Sequence, residues 1–232
     1  MANLITLSRL LLLIVVVAVA YYGSALAQLF NVALLIFVFV TDGLDGYVAR
    51  KRNETSVFGA MFDIAGDRIV ELTMWVVLTD LAYFTTNIHM IPIWVPLVFV
   101  IRGTVVDTIR ANQVTTAGMS PFAAIRGPVG QWIVGGKFMR IFYAVLKAHA
   151  FCWLLLIRPL PELLPSFWAN WSWLLTGIGD TFVYLSVAIC VVRALPVVGE
   201  FVYQERDSLL PGLLQHFISG FSLGEITGKY IL

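Results

Sequence analysis

The chain has 232 residues, of which 59% are hydrophobic and 12% charged, with a formal net charge of +1 and a mean hydropathy of +0.88. A water-soluble domain carries about a quarter charged residues, so this composition excludes an ordinary soluble globule. The near-zero net charge excludes a partner chosen by bulk charge, and no motif points to nucleic acid. The surplus of apolar side chains predicts an all-α integral membrane protein, because helices satisfy every backbone polar group within lipid.

A membrane-spanning helix needs about 20 mostly apolar residues. Apolar runs predict six spans, near 4–22, 26–49, 57–84, 91–111, 138–157 and 173–195. The first follows a thin charged region around Arg9, and "ALA" at Ala25–Ala27 resembles a cleavage site. Apolar helices continue throughout the chain, so a retained first span is expected rather than a signal peptide. Residues 158–171, "RPLPELLPSFWANW", contain three prolines and two tryptophans and predict an interfacial loop. Residues 1–195 are thus expected to form a six-helix transmembrane catalytic domain, and 196–232 a mixed-charge cytoplasmic tail.

Orientation follows from the basic residues. Arg9, Arg50, Lys51, Arg52, Arg110, Arg126, Lys137 and Arg140 fall on one side of the six-span layout, and Arg158 stands almost alone on the other. The positive-inside rule places both termini in the cytoplasm. Cys152 and Cys190 lie in apolar runs and read as buried thiols. The scattered His89, His149 and His216 lack metal-ligand spacing. Lys147, inside the fifth span, is expected to snorkel or to pair with a carboxylate, and His149 to be a packing residue.

The chemistry is concentrated in "TDGLDGYVARKRNETSVFGAMFDIAGDR", Thr41 to Arg68. Asp42 and Asp45 are three residues apart, and Asp63 and Asp67 four apart. Each spacing puts two carboxylates on one helix face. A short connection between the second and third spans lets the two faces meet near the cytoplasmic surface. Carboxylates gathered there repel unless protons or cations relieve them. Hard oxygen donors in that number suit Mg²⁺, Mn²⁺ or Ca²⁺, and two such ions would neutralise four aspartates. Gly43, Gly46, Ala49 and Gly59 leave room beside them for a ligand or for close helix packing, and Arg50 is placed to meet a phosphate. "DGLDG" lacks the alternating ligands and terminal Glu of a calcium-binding loop. Aspartates near helix ends often simply face water, but ionisable groups grouped at a membrane default to function.

This stretch resembles the CDP-alcohol phosphotransferase family, whose signature is D-x-x-D-G-x-x-A-R-x8-G-x3-D-x3-D. Asp42, Asp45, Gly46, Ala49, Arg50, Gly59, Asp63 and Asp67 occupy every fixed position of it. The resemblance implies transfer of a substituted phosphoryl group from a CDP-linked donor, commonly CDP-diacylglycerol, to a small alcohol, with release of CMP. It implies Asp42, Asp45, Asp63 and Asp67 as ligands to two Mg²⁺ or Mn²⁺ ions, and Asp67 also as the general base. Gly46, Ala49, Arg50 and Gly59 would line the CDP site. A homodimer in the bacterial inner membrane, with the active site facing the cytoplasm, is also implied.

The acceptor is less sharply marked. Arg102 and Arg110 are eight apart, as in bacterial phosphatidylglycerophosphate synthases, but the Glu position of that pattern holds Gly103. Arg110, Lys137 and Arg140 are candidates for an acceptor-phosphate pocket, and equally for ordinary anchors beside anionic lipid. Glycerol 3-phosphate is the expected acceptor. The Asp67-Arg68 ending instead resembles branches that use inositol phosphate or an amino-alcohol. Two other classes compete: a divalent-cation transporter, which should carry its carboxylates near mid-membrane in repeated halves, and a catalytically silent CDP-lipid binder.

Overall fold

The structure is a computed structural model that describes residues 2–52, 57–117 and 128–209. Side chains of residues 42–52 and of Arg110 lie outside what it describes. Among the described residues the regular elements are helices: α1 (Ala2–Tyr22), α2 (Ala25–Arg52), α3 (Val57–Asp80), α4 (Trp94–Ala117), α5 (Pro128–Gly135), α6 (Lys137–Ile157), α7 (Leu160–Leu163) and α8 (Pro165–Leu209). The chain divides into two compact units, one of residues 1–104 with 137–191 and one of 105–136 with 192–232.

In the first unit α1 and α6 each pack against both α2 and α3. Trp75 on α3 is fully buried at its centre. Its ring stacks on Phe99 of α4 at 4.5 Å between centroids and meets Phe151 of α6 edge-on at 4.6 Å. Phe151 in turn stacks with Phe39 of α2 at 6.3 Å. One aromatic seam therefore joins four helices, each pair adding about 0.5–1.5 kcal/mol beyond the area it buries.

The α1–α2 corner is fixed by polar groups in an apolar setting. The Gln28 side-chain amide donates to the carbonyls of Val19 at 2.6 Å and Ala20 at 3.1 Å. Asn31 donates to Val16 O at 3.0 Å. Gly23 ends α1, and a Cβ there would stand 2.5 Å from Val19 O, so the turn admits only glycine without a shift.

At the opposite end of α3 from Asp63 and Asp67, Arg158 ties two connectors to the end of α1. It is buried, donates from Nη1 to Ala20 O at 2.7 Å and from Nε to Ala82 O at 2.9 Å, and covers the Phe84 ring. Its own carbonyl accepts from the Phe84 N–H at 3.2 Å. Nearby, Tyr21 donates to the exposed Asp80 at 2.7 Å.

In the second unit Val106 and Ile109 of α4, Val134 of α5 and Val197 of α8 form a smaller core. Buried Arg193 donates to Val134 O at 3.1 Å.

A helix lies over each of the six predicted apolar segments. Among the described residues two stretches, Lys137–Leu163 and Pro165–Val202, are long and apolar enough to cross a membrane, and Thr6–Tyr22 and Ala25–Thr41 are shorter apolar helices. The predicted interfacial loop at 158–171 is largely helical instead, comprising α7 and the start of α8. Proline explains the difference: Pro165 is the first residue of α8, where its missing N–H leaves no bond unmade and its φ already suits a helix. At the other end α8 runs through Pro196 to Leu209, beyond the predicted boundary at 195.

Candidate active site at the aspartate helices

Asp42, Asp45, Gly46, Ala49 and Arg50 all fall within one uninterrupted helix, α2, so the predicted helical spacing is realised in its backbone. Their side chains lie outside the described residues. Thr41, just before them, folds its hydroxyl back onto the carbonyls of Phe37 at 3.0 Å and Val38 at 2.8 Å.

The other half of the set is in view. Gly59, Asp63 and Asp67 follow one another at four-residue intervals on α3, and Gly59 is half-buried. The side chains of Asp63 and Asp67 are 44% and 55% exposed. They share a partner that the sequence reading did not assign to the site. Arg9 of α1, with only 1% of its side chain exposed, places Nη2 at 3.1 Å from Asp67 Oδ1 and 3.7 Å from Asp63 Oδ1.

Gly66 makes this approach possible. A Cβ at position 66 would stand 2.6 Å from Arg9 Nη2 and 3.0 Å from Thr6 Cγ2. The glycine between the two aspartates is thus the seat of the guanidinium. Gly66→Val is expected to push Arg9 off its carboxylates and to lower turnover about tenfold through misplacement, with helical content by circular dichroism unchanged.

One turn further along α3 a second charged group is buried. Glu71 Oε1 lies 2.8 Å from Lys147 Nζ of α6, and Oε2 lies 3.2 Å from Arg68 Nη1. The Lys147 ammonium also sits 4.3 Å from the centre of the Tyr143 ring. Lys147 therefore has the carboxylate partner expected of it. Gly103 on α4 faces this group, since a Cβ there would come within 3.9 Å of Arg68 Nη1. The acid that engages Arg68 comes from Glu71, while position 103 stays bare.

The remaining sequence candidates are placed as follows. Lys137 and Arg140, both exposed, line a cavity of about 320 Å³ with Ile141 and Ala144 at the start of α6. Arg110 is on α4 in the second unit, and its side chain lies outside the described residues. His149 contacts Val145 O through Nδ1 at 2.8 Å and packs near the Phe182 ring. Cys152 and Cys190 are free thiols.

Among the described residues no group of three or more His, Cys, Asp or Glu side chains gathers at one point. Two members of the predicted four lie outside that set. What is described offers the hard oxygen donors a divalent ion takes: two half-exposed carboxylates on one face of α3.

The family profile described as CDP-alcohol phosphatidyltransferase matches residues 1–192. The chain belongs to the CDP-alcohol phosphatidyltransferase family. Among its relatives, the Rickettsia typhi CDP-diacylglycerol–glycerol-3-phosphate 3-phosphatidyltransferase is 34% identical over 68 residues, covering 29% of this chain and 38% of that one. The protein of the same name from Wigglesworthia glossinidia brevipalpis is 30% identical over 107 residues, 46% of this chain and 56% of that one. The Arabidopsis thaliana CDP-diacylglycerol–inositol 3-phosphatidyltransferase 1 is 37% identical over 79 residues, 34% of this chain and 33% of that one. The chain thus spans between a third and just over half of the length of these curated relatives.

Proposed function

We propose that this chain is a membrane phospholipid synthase that transfers a phosphatidyl group from CDP-diacylglycerol to glycerol 3-phosphate and releases CMP. The observation that carries the reading is the pair Asp63 and Asp67, presented half exposed on one face of α3 within a complete family signature. The names of the Rickettsia and Wigglesworthia relatives support the acceptor.

In this reading Asp42, Asp45, Asp63 and Asp67 hold two Mg²⁺ or Mn²⁺ ions. Bound there, the ions supply charge neutralisation on the pyrophosphate and a better leaving group in CMP. The protein does the rest. Gly46, Ala49, Arg50 and Gly59 line the place of the CDP moiety, and Arg50 pairs with a phosphate oxygen. Asp67 receives the proton of the acceptor hydroxyl as its oxygen bonds to the β-phosphorus. The bond from that phosphorus to the CMP oxygen breaks, and CMP carries the electron pair away. The Oδ1 atom of Asp67 is turned to Arg9, so Oδ2 is the oxygen assigned to the proton.

Lys137 and Arg140 are assigned to the phosphate of the acceptor, and their cavity at the start of α6 supports that role. The enzyme would act as a homodimer in the bacterial inner membrane, with this site at the cytoplasmic face. The donor keeps its acyl chains in hydrocarbon while the acceptor arrives from water.

A second reading keeps the chemistry and changes the acceptor to inositol phosphate or an amino-alcohol. It is favoured by Arg68 directly after Asp67 and by the inositol enzyme among the relatives. One experiment separates the two. Purified full-length protein with CDP-diacylglycerol is offered glycerol 3-phosphate, inositol phosphate, inositol, serine or ethanolamine, and CMP release is followed. Release is expected with glycerol 3-phosphate only, lost in EDTA and restored by Mg²⁺ or Mn²⁺. Release with an inositol compound or an amino-alcohol, and not with glycerol 3-phosphate, would favour the second reading. No acceptor-dependent release would reject both.

A further inference from the structure

We propose that Arg9 is a built-in counter-cation of the α3 carboxylates: it orients Asp63 and Asp67 through one oxygen each, and it limits how tightly the site holds divalent metal. The inference rests on the reading of Asp63 and Asp67 as metal ligands given above.

The asymmetry of burial gives Arg9 this role. Its side chain is 1% exposed, while those of its two partners are 44% and 55% exposed. The guanidinium is held from inside the helix packing, and the carboxylates reach it from the open side. Thr6 and Arg9 together fill the space above Gly66, so the nitrogen has one seat. A permanent cation inside an apolar segment is costly unless paired. Here both carboxylates supply the pairing, each through Oδ1.

Two consequences oppose each other. The ion pairs restrict the rotation of Asp63 and Asp67, which positions a base and a ligand. The same positive charge, in contact with both carboxylates, repels a divalent ion approaching them. Removing the charge strengthens metal binding by more than the freed rotation of two short side chains weakens it, because a full charge at contact distance outweighs the rotamer entropy involved. Arg9 is therefore a positioning residue whose loss tightens metal and slows turnover.

The test uses the full-length protein in detergent, with Mn²⁺ as the probe and free Mn²⁺ read by electron paramagnetic resonance. Arg9→Gln is expected to lower the Kd for Mn²⁺ about tenfold. Turnover at saturating Mn²⁺ falls about tenfold or more. Arg9→Lys, which keeps the charge, holds the wild-type Kd within about threefold and regains part of the turnover. A residue that only held the helices together would weaken metal binding when removed. Equal or weaker Mn²⁺ binding by Arg9→Gln with native helical content overturns the proposal. If that variant fails to fold, Gly66→Val, which displaces the guanidinium, is judged by the same change in Kd. A wild-type protein that binds no Mn²⁺ overturns the metal reading itself, and the counter-cation role with it.

Discussion

Asp67→Asn is expected to lower kcat by roughly two to four orders of magnitude, the range a positioned general base supplies. The substitution preserves size and leaves an amide oxygen that can still accept from Arg9 Nη2, now 3.1 Å from Oδ1. Packing of α1 on α3 around Gly66 should therefore survive. What disappears is an anionic oxygen able to hold the acceptor's proton. Single-turnover release of CMP at saturating metal measures the loss, and equilibrium binding of CDP-diacylglycerol should change little. Near-normal turnover would remove Asp67 as the base and move that role to another carboxylate of the set. Asp67→Glu keeps the chemistry but shifts the oxygen by one methylene, so it should recover only part of the rate.

Lys147→Met is expected to destabilise the protein by about 3–5 kcal/mol, the cost of leaving a buried ion without its partner. The exposures of the two side chains, 16% for Lys147 and 10% for Glu71, put the pair in that class. Methionine fills the volume of the lysine stem, so the loss reports charge rather than a cavity. Arg68 remains at 3.2 Å from Glu71 but is the more exposed of its two cations and offsets only part of it. The double variant Glu71→Leu with Lys147→Met removes both charges and should regain most of the stability, because a well-packed apolar pair commonly equals a buried ion pair. Thermal unfolding of the wild type, Lys147→Met, Glu71→Leu and the double variant in one detergent measures the coupling. If the double variant is as unstable as Lys147→Met alone, the pair contributes through more than charge balance.

The helical architecture was legible because long apolar runs in this chain leave the backbone no other way to bond. Those over α1, α2 and α6 could be placed within a few residues of the observed ends. The run of prolines at 158–171 misled, since proline at the first turn of a helix reads the same as proline in a loop until the chain is seen to continue. The shared helix face of Asp63 and Asp67 was legible from their spacing. Arg9 was not: in sequence it is one more basic residue near the start of the chain, 54 positions before Asp63. The clue available was its place within an apolar run, where an arginine is too costly to be idle. A second clue was the glycine between the two α3 aspartates. A carboxylate partner was expected for Lys147, but only the packing of α3 on α6 shows that Glu71 supplies it.

The staple formed by Arg158 has a consequence at a distance. It grips the end of α1 through Ala20 O, and Arg9 lies eleven residues back along the same helix, about 16 Å at 1.5 Å per residue. An α-helix is stiff along its axis, so an axial slip at one tip arrives undiminished at the other. The connector end thereby serves as the datum from which the guanidinium is measured out. Changes to the connectors around Arg158 can detune the aspartate end of α1 and α3 without touching any group there.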